Sequence, residues 1–255
     1  SDANLTGADL SGKDFTGTIL TGADLSGTNL AGVMLRGADL TGTRLSGTDL
    51  SGMDLTGTIL KGMNLSNKDF TGTILVEADL SYTTLTNVDL TGVDLTGASL
   101  VGVDLSIKNF TGTSLTGADL SNTILAGVDL TGMDLTGASL VGVDLFFKDL
   151  TGTILRGADL TDAFLDNVIL RNVNLENATL ENVRLIDADL TNTNLTNADL
   201  RNSILADANL SNAILRGADL TNVVLSGANL HGANLENAIL TGTILNCKNH
   251  PICED

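Results

Sequence analysis

The side chains that could carry chemistry in this chain are few, and their spacing excludes the common catalytic arrangements. Only two histidines occur, His231 and His250, so the sequence supports neither a Ser-His-Asp nor a Cys-His nucleophile. The glycines form no phosphate-binding loop ahead of a helix, and the calcium-binding nonapeptide pattern G-G-x-G-x-D is missing. We therefore expect no enzymatic activity, no cofactor and no catalytic or metal-binding residue.

The only two cysteines, Cys247 and Cys253, lie near the end of the chain with His250 between them. They predict a small disulfide loop, which would favour an oxidising compartment such as the periplasm or the thylakoid lumen; without that bond, the cytoplasm is favoured. Metal binding by the two cysteines and His250 is the alternative. Three ligands within seven residues match no standard zinc spacing.

The charge balance restricts the partners. The chain has 13 basic and 31 acidic residues and a formal net charge of −18. Such a surface repels phosphate backbones and anionic lipids, so we expect no direct binding of nucleic acid. No apolar run is long enough to cross a bilayer, so we expect no membrane insertion.

A column of large apolar residues positions everything else. From Leu5 to Leu245 every fifth residue is Leu or Phe, 49 in succession. A helix turns about 100° per residue and would scatter this column around its surface. A flat strand would place successive members on opposite faces. The spacing therefore predicts a chain that turns once per repeat, so that every Leu points to a common axis.

The residues between the leucines indicate how each turn forms. A small or short-branched residue such as Ala8 usually stands two residues before the central Leu and also faces inward, while the residue between them, often Asp, faces water. Ser or Thr usually follows the central residue, and then Gly or Asn, which tolerate the positive φ that the third residue of a type II turn requires. After Leu160, Asn and Asp replace Gly, and we predict more type I turns there. Bulky residues at the Gly position predict type I or bulged turns; these are Glu77, Tyr82, Ile107 and Phe147.

This A(D/N)LxG-like repeat resembles the pentapeptide-repeat family over residues 1–245. The resemblance implies an all-β fold, a right-handed quadrilateral β-helix with about 12 coils of 20 residues. The sequence then divides into a β-helix, residues 1–245, and a non-repeat segment, 246–255, that we expect to cap the last coil.

With 20 residues per coil, the outward side chains fall into four columns. One is strongly acidic and reads Asp9, Asn29, Asp49, Asp69, Asp89, Asn109, Asp129, Asp149, Ile169, Asp189, Asn209 and Asn229. It is a docking strip for a basic partner, a cation-binding strip, or a solvated face that keeps the protein soluble. A second column predicts a structural hydroxyl ladder and contains Thr71, Thr91, Thr111, Thr131 and Thr151.

Several residues break the repeat. Lysines stand at inward positions 13, 68, 108 and 148, where an unpaired ammonium group is costly. Either the backbone bulges and turns each lysine outward, which we favour, or the side chain runs inward and its ammonium reaches a carboxylate or carbonyl. Ile107, Phe146 and Phe147 predict an exposed apolar spot suited to a lateral contact.

The sequence favours a structural or interaction protein that presents a rigid acidic surface to an unknown protein partner. End-to-end homo-association through the open N-terminal coil is a further expectation. The alternative function is a DNA mimic that binds a topoisomerase such as DNA gyrase, or another basic-surfaced protein, because the resemblance includes acidic gyrase-binding members. Those members characteristically have a C-terminal hydrophobic module, whereas the segment here is short and polar.

Overall fold

The computed structural model describes residues 2–253. Ser1, Glu254 and Asp255, which belong to the two predicted ranges 1–245 and 246–255, lie outside the described residues. The chain forms two compact units, Ser1–Val128 and Asp129–Asp255. Each unit is built from the same five-residue element, and each is described by itself.

The five-residue element is a short extended segment that ends in a tight turn. After Leu5, the N–H of Ala8 donates to the Leu5 carbonyl at 3.0 Å and closes a four-residue turn. Gly7, the third residue of that turn, has a φ of +68°. A positive φ at this position alone is the signature of a type II turn, which agrees with the Gly-rich repeats.

Successive coils pair through isolated parallel bridges. The bridge from Asn4 to Asp24 in the first unit, and that from Ile154 to Asn174 in the second, each join residues 20 apart. The last bridge, from Asn229 to Lys248, joins residues 19 apart, so the register shifts by one where the non-repeat segment joins the coil. The one helical element in residues 2–253 is a 3₁₀ helix, Pro251–Cys253.

The apolar column fills the centre of each unit. Leu25 is already buried in the first unit, and Leu230 is still buried in the second. Small inward residues such as Ala98 and Ala208 are fully buried beside them. Among the described residues, no buried side-chain nitrogen or oxygen lacks a hydrogen-bond partner. Truncating one central Leu to Ala should therefore cost about 2–5 kcal/mol, because the rigid coil cannot collapse around the cavity.

The predicted change of turn type is wrong. Asn167 and Asn192 have φ values of +58° and +57°, so the Asn-rich turns keep the left-handed residue that Gly supplies earlier. Asn tolerates this conformation because its short polar side chain bonds locally. It also bonds between coils, since the Asn192 amide donates to the Asn172 side-chain oxygen at 3.2 Å.

The bulky turn residues also adopt the left-handed conformation, which corrects the second turn prediction. The four φ values are +56° for Glu77, +58° for Tyr82 and +57° for Ile107 and Phe147. The ladder imposes this geometry: the Tyr82 N–H donates to the Val101 carbonyl at 2.8 Å, as a glycine N–H does elsewhere. Backbone pairing between coils outweighs the local conformational preference.

Candidate interaction surface

Each outward aspartate caps the turn that follows it. The Asp49 carboxylate accepts hydrogen bonds from the backbone N–H of Ser51 at 2.9 Å and from its hydroxyl at 2.7 Å. Asp129 makes the same two bonds with Thr131, at 2.9 and 2.7 Å. These are Asx turns, in which a side chain satisfies the backbone two residues on. The carboxylates of the acidic column are therefore fixed to the backbone through one oxygen.

The caps keep the carboxylates ionised. Hydrogen bonds from Ser51 lower the pKa of Asp49, and those from Thr71 lower the pKa of Asp69 although Asp49 and Asp89 raise it. Burial is the largest influence on Asp189 and raises its pKa, but the bonds from Thr191 and Arg171 together outweigh it. The pKa values of three further members are lowered mainly by their own turn threonines; these are Asp89, Asp129 and Asp149.

The acidic column is divided between the two units. Asp49, Asp69 and Asp89 belong to the first, and Asp129, Asp149 and Asp189 to the second. In the second unit Ile169 bridges to Asp149 on one side and to Asp189 on the other, so these outward residues stack on successive coils. In the predicted hydroxyl column, the Thr131 and Thr151 hydroxyls donate to the aspartates of their own turns.

The structure corrects the bulge prediction for the inward lysines. Lys68 keeps the regular turn bond, from its N–H to the Leu65 carbonyl at 3.1 Å. Its ammonium donates to the Leu45 carbonyl and, at 2.9 Å, to the Thr48 carbonyl in the previous coil. Lys108 likewise donates to the carbonyls of Leu85 and Val88, both at 2.7 Å. The stems run inward and the backbone carbonyls solvate the charge.

The other two lysines at inward positions, Lys13 and Lys148, differ in their exposure. Lys13 is exposed, and its N–H also keeps the regular turn bond, to Leu10 at 3.0 Å. Lys148 is half-buried, and burial lowers its pKa while Asp129 raises it. Burial likewise lowers the pKa of Lys68 and Lys108 against the opposing charges of neighbouring aspartates.

On the side of the first unit where Lys68 lies, the parallel bridges between successive coils are interrupted. Asp39 and Ile59 bridge on a neighbouring side, but Asp49 and Asp69 form no bridge within the part of the chain that the structure describes. In a regular ladder, the Thr48 carbonyl would accept a hydrogen bond from the Asp69 N–H. Here the Thr48 carbonyl accepts a hydrogen bond from the Lys68 ammonium instead. A surface cleft of about 450 Å³ opens on this side and includes Asp49 in its lining.

The residues predicted for a lateral contact are exposed. Ile107, in the first unit, is 85 % exposed and lies over the corner at Gly127. Phe146 and Phe147, in the second unit, have ring centroids 4.2 Å apart in an edge-on arrangement, and Phe147 is 67 % exposed. The structure thus brings the two phenylalanines together. Ile107 belongs to a different unit.

The C-terminal segment is closed by a covalent bond. Cys247 and Cys253 form a disulfide with Cα atoms 5.0 Å apart. The Ile252 N–H donates to the Nδ1 atom of His250 at 3.3 Å, inside this loop. Within residues 2–253, no three His, Cys, Asp or Glu side chains are grouped closely enough to hold a metal ion. The same residues contain no helix with the length and apolar character needed to cross a membrane.

Sequence reasoning missed a second exposed surface. Phe164 is 48 % exposed and begins an outward column that continues through Ile204 to Ile244 in the second unit. The signal was available, because listing every twentieth residue from position 144 gives mostly apolar side chains.

The family model for pentapeptide repeats matches most of the chain; the matched ranges are 1–37, 23–62, 34–72, 60–92, 73–106, 113–146, 142–172, 169–205 and 203–242. The chain belongs to the pentapeptide-repeat family. Its fold is accordingly the right-handed quadrilateral β-helix of that family.

Three solved structures are similar to this pentapeptide-repeat chain. HetL, involved in heterocyst differentiation regulation in the cyanobacterium Nostoc sp. strain PCC 7120, is 29 % identical over 96 % of this chain and 88 % of its own, with a TM-score of 0.44. Rfr23 from the cyanobacterium Cyanothece 51142 is 39 % identical over 35 % of this chain and 60 % of its own, with a TM-score of 0.19.

The third is QnrB1, a plasmid-mediated fluoroquinolone resistance protein, which is 19 % identical over 75 % of this chain and 94 % of its own, with a TM-score of 0.37. No curated protein matches the chain.

Proposed function

We propose that this pentapeptide-repeat protein is a non-enzymatic interaction protein whose acidic columns bind a protein partner with a basic surface. The observation that carries the proposal is the Asx capping of the outward aspartates. Each column carboxylate of Asp49, Asp89 and Asp129 is bonded to the N–H of its own turn at 2.9 Å. The negative charges are thus held in fixed positions before a partner arrives.

Fixed and ionised carboxylates favour association for two physical reasons. A preorganised charge loses little conformational freedom on binding, so less of the interaction energy is spent on ordering side chains. A surface of one sign also attracts an oppositely charged protein and raises the rate of association. With a net charge of −18, this attraction selects basic surfaces.

A non-enzymatic role is supported by the bonds that the cysteine sulfurs, the inward ammonium groups and the column carboxylates already make within the protein. The two cysteine sulfurs bond to each other, so neither provides a free thiolate. The inward lysines Lys68 and Lys108 have their ammonium groups bonded to backbone carbonyls. The column aspartates are bonded to their own turns.

Asn at a column position shows how the charge can be removed while the cap of the turn is kept. Asn109 caps its turn as aspartate does, with bonds to the Thr111 N–H at 3.0 Å and to its hydroxyl at 2.7 Å. Replacing Asp49, Asp69 and Asp89 by Asn should therefore remove three charges and keep the turns. Replacing the same residues by Ala removes the caps as well.

The experiment captures partners from the source cell with immobilised protein and measures the affinity of a captured protein by calorimetry. We expect the triple Asn variant to stay folded at neutral pH and to bind roughly tenfold more weakly, with the loss diminishing at high salt. Unchanged affinity of the Asn variant at low salt would contradict the proposal. The Ala variant reports what loss of the caps does to stability.

A second candidate is a DNA-mimic binder of DNA gyrase, favoured by the occurrence of Asp49, Asp69 and Asp89 at equivalent positions of successive coils. A row of negative charges is the feature that such a mimic requires. A gyrase supercoiling assay tests it: inhibition by the wild-type protein and not by the triple Asn variant would support the mimic, and unchanged enzyme activity with both would exclude it.

Two further expectations belong to this proposal. The disulfide between Cys247 and Cys253 supports an oxidising compartment, and alkylation of protein isolated from its host should find no free thiol. Self-association, either end to end through the first coil or laterally through Ile107, Phe146 and Phe147, stays a prediction that sedimentation velocity can test.

A further inference from the structure

One outward column of the second unit is mainly apolar. Its members pair on successive coils through bridges from Asp144 to Phe164, Arg184, Ile204, Val224 and Ile244 in turn. Phe146 and Phe147 lie on the turn that follows Asp144, and the Phe147 N–H donates to the backbone carbonyl of Asp166, two residues after Phe164, at 3.3 Å. We define the apolar row as Phe146, Phe147, Phe164, Ile204, Val224 and Ile244.

The apolar row is exposed and differs from the neighbouring columns. Ile244 is 51 % exposed and the phenylalanines are exposed to a similar or greater degree, whereas Ile204 is 36 % exposed and Val224 is half-buried. The column that starts at Asp159 is instead polar through Asp219. Large exposed apolar surfaces are rare on soluble proteins and mark sites of interaction.

The charges beside the row are negative. Asp162, Asp187 and Asp207 are exposed on its flanking turns, and none of the three forms an ion pair among the described residues. The basic residues at the row are already paired, because Arg184 bonds to Asp166 at 2.8 Å and Arg201 to Asp199 at 2.7 Å. A partner therefore meets an apolar strip with an acidic edge.

We propose that the apolar row is the docking site for an amphipathic helix of a partner protein, with apolar residues on one face and Lys or Arg at its flanks. Outward residues on successive coils lie about 4.8 Å apart. One helical turn rises about 5.4 Å, so residues at i, i+4 and i+7 follow this spacing closely. In an extended peptide, same-face residues lie about 6.8 Å apart and fall out of step.

The length of the row sets the length of the helix. From Phe164 to Ile244 the row crosses four coil intervals, or about 19 Å at the spacing between strands. A helix of about 13 residues covers that distance at 1.5 Å per residue. Phe146 and Phe147 extend the site by about one further turn.

A second copy of this chain is a poor occupant. The residues from 161 to 255 include 12 acidic and five basic residues. Two copies placed face to face would bring the carboxylates of Asp162, Asp187 and Asp207 against their counterparts, and like charges at an interface oppose association. A basic flank on the partner helix instead meets these carboxylates favourably.

The inference rests on the proposed interaction function and names the class of partner. The probe is a fluorescein-labelled 16-residue peptide with Leu at i, i+4, i+7 and i+11, Lys at the flanking positions and Ala elsewhere. Two control peptides carry Glu in place of Lys, or a central Pro that prevents the helix. Fluorescence anisotropy measures the affinity of each peptide for the intact protein.

The decisive variant is F164S combined with I204S, which keeps the backbone pattern and removes the centre of the row. The matched control is I214S, because Ile214 is 42 % exposed on another side of the same unit, between Asn194 and Asn234. We expect roughly tenfold or greater loss of affinity for the double variant, because central apolar contacts dominate an interface. I214S should bind like the wild type.

The outcomes separate the two proposals. Equal binding by the double variant and I214S, or equal binding of the Lys and Glu peptides, would overturn the docking site. Binding that falls only with Asp49, Asp69 and Asp89 changed to Asn would leave the acidic-column function standing and overturn this inference. Circular dichroism verifies that each variant is folded. Wild-type dimers that the double variant loses would assign the row to self-association instead.

Discussion

A single methyl group added at Gly102 tests how the bulky turn residues are accommodated. Gly102 has a φ of +68°, and a Cβ atom there would lie 2.6 Å from Cε1 of Tyr82. Gly92 is the matched control, because its φ is +69° and a Cβ atom would meet nothing within 4 Å. Gly92→Ala therefore reports the backbone cost alone, and Gly102→Ala adds displacement of the tyrosine ring.

The expected magnitudes follow from these contacts. Ala in the left-handed region costs about 1–2 kcal/mol, partly offset by the stiffer unfolded chain, so Gly92→Ala should destabilise by about 1 kcal/mol. Tyr82 is 59 % exposed, and displacing its covered part exposes about 80 Å² of a ring that typically buries about 200 Å². That loss is worth about 2 kcal/mol. Gly102→Ala should therefore lose about 3 kcal/mol.

The assay can use the protein's own fluorophore. Tyr82 is the only tyrosine, and the chain has no tryptophan. Urea unfolding followed by tyrosine fluorescence reports the stability of this part of the solenoid, where repeats unfold locally. Iodide quenching of the folded protein should rise in Gly102→Ala and stay at the wild-type level in Gly92→Ala.

Two results would refute this reasoning. Equal destabilisation by both alanines would mean that the tyrosine ring contributes nothing at the corner. In the Tyr82→Ala background, which lacks the fluorophore, urea unfolding is followed by circular dichroism instead. A greater loss in Gly102→Ala that persists there would place its cause elsewhere, because the excess should vanish once the ring is absent.

Three further predictions concern the first unit. Lys108→Met should cost about 1–2 kcal/mol in chemical unfolding, because the Val88 carbonyl loses a charge-assisted bond while the desolvation of the ammonium is relieved; a more stable variant would contradict this. The Asp49 amide should exchange faster with deuterium than the Ile59 amide, which bonds to Ala38 at 2.9 Å; equal protection would argue against the interrupted ladder. Because hydrogen bonds from their own turns lower the pKa of the capped aspartates Asp49 and Asp89 in the folded protein, their stabilisation is complete above the unfolded pKa of about 3.9. It should disappear as pH falls through the lowered values, and a melting temperature constant down to pH 2 would contradict this.

The fold was predictable because its signal is global and redundant. The Leu at every fifth position required an inward-facing column, and the structure buries it from Leu25 to Leu230. No single residue carries that signal, so substitutions such as Phe70 do not obscure it. The left-handed Gly position was predictable for the same reason.

The turns and the lysines were mispredicted because local preference was weighed against a ladder that only the structure shows. Tyr82 is a poor left-handed residue by itself, yet its N–H bonds to the next coil in the regular register. Lys68 is a poor inward residue, yet backbone carbonyls of the previous coil accept its ammonium. Both compensations come from residues about 20 positions away, which the local sequence does not reveal.

The separation of about 20 residues between neighbours in a column explains why the apolar row was not predicted. The acidic column was predicted in spite of this separation. Aspartates stand out in composition, whereas Phe164 and Ile204 are ordinary residues whose relation appears only when coils are stacked. The Asx caps were also not predicted, because only the structure shows that the carboxylates lie within hydrogen-bond distance of the turn N–H groups.

The half-buried Lys68 and Lys108 find their acceptors within their own 40-residue stretch of the chain. Lys68 contacts Leu45 and Thr48 within residues 41–80, and Lys108 contacts Leu85 and Val88 within residues 81–120. Each stretch of 40 residues thus carries both the cation and its acceptors. Duplication of such a 40-residue stretch as a whole adds two coils that contain both the lysine and the carbonyls that accept its hydrogen bonds. No ammonium group is then left without its acceptors.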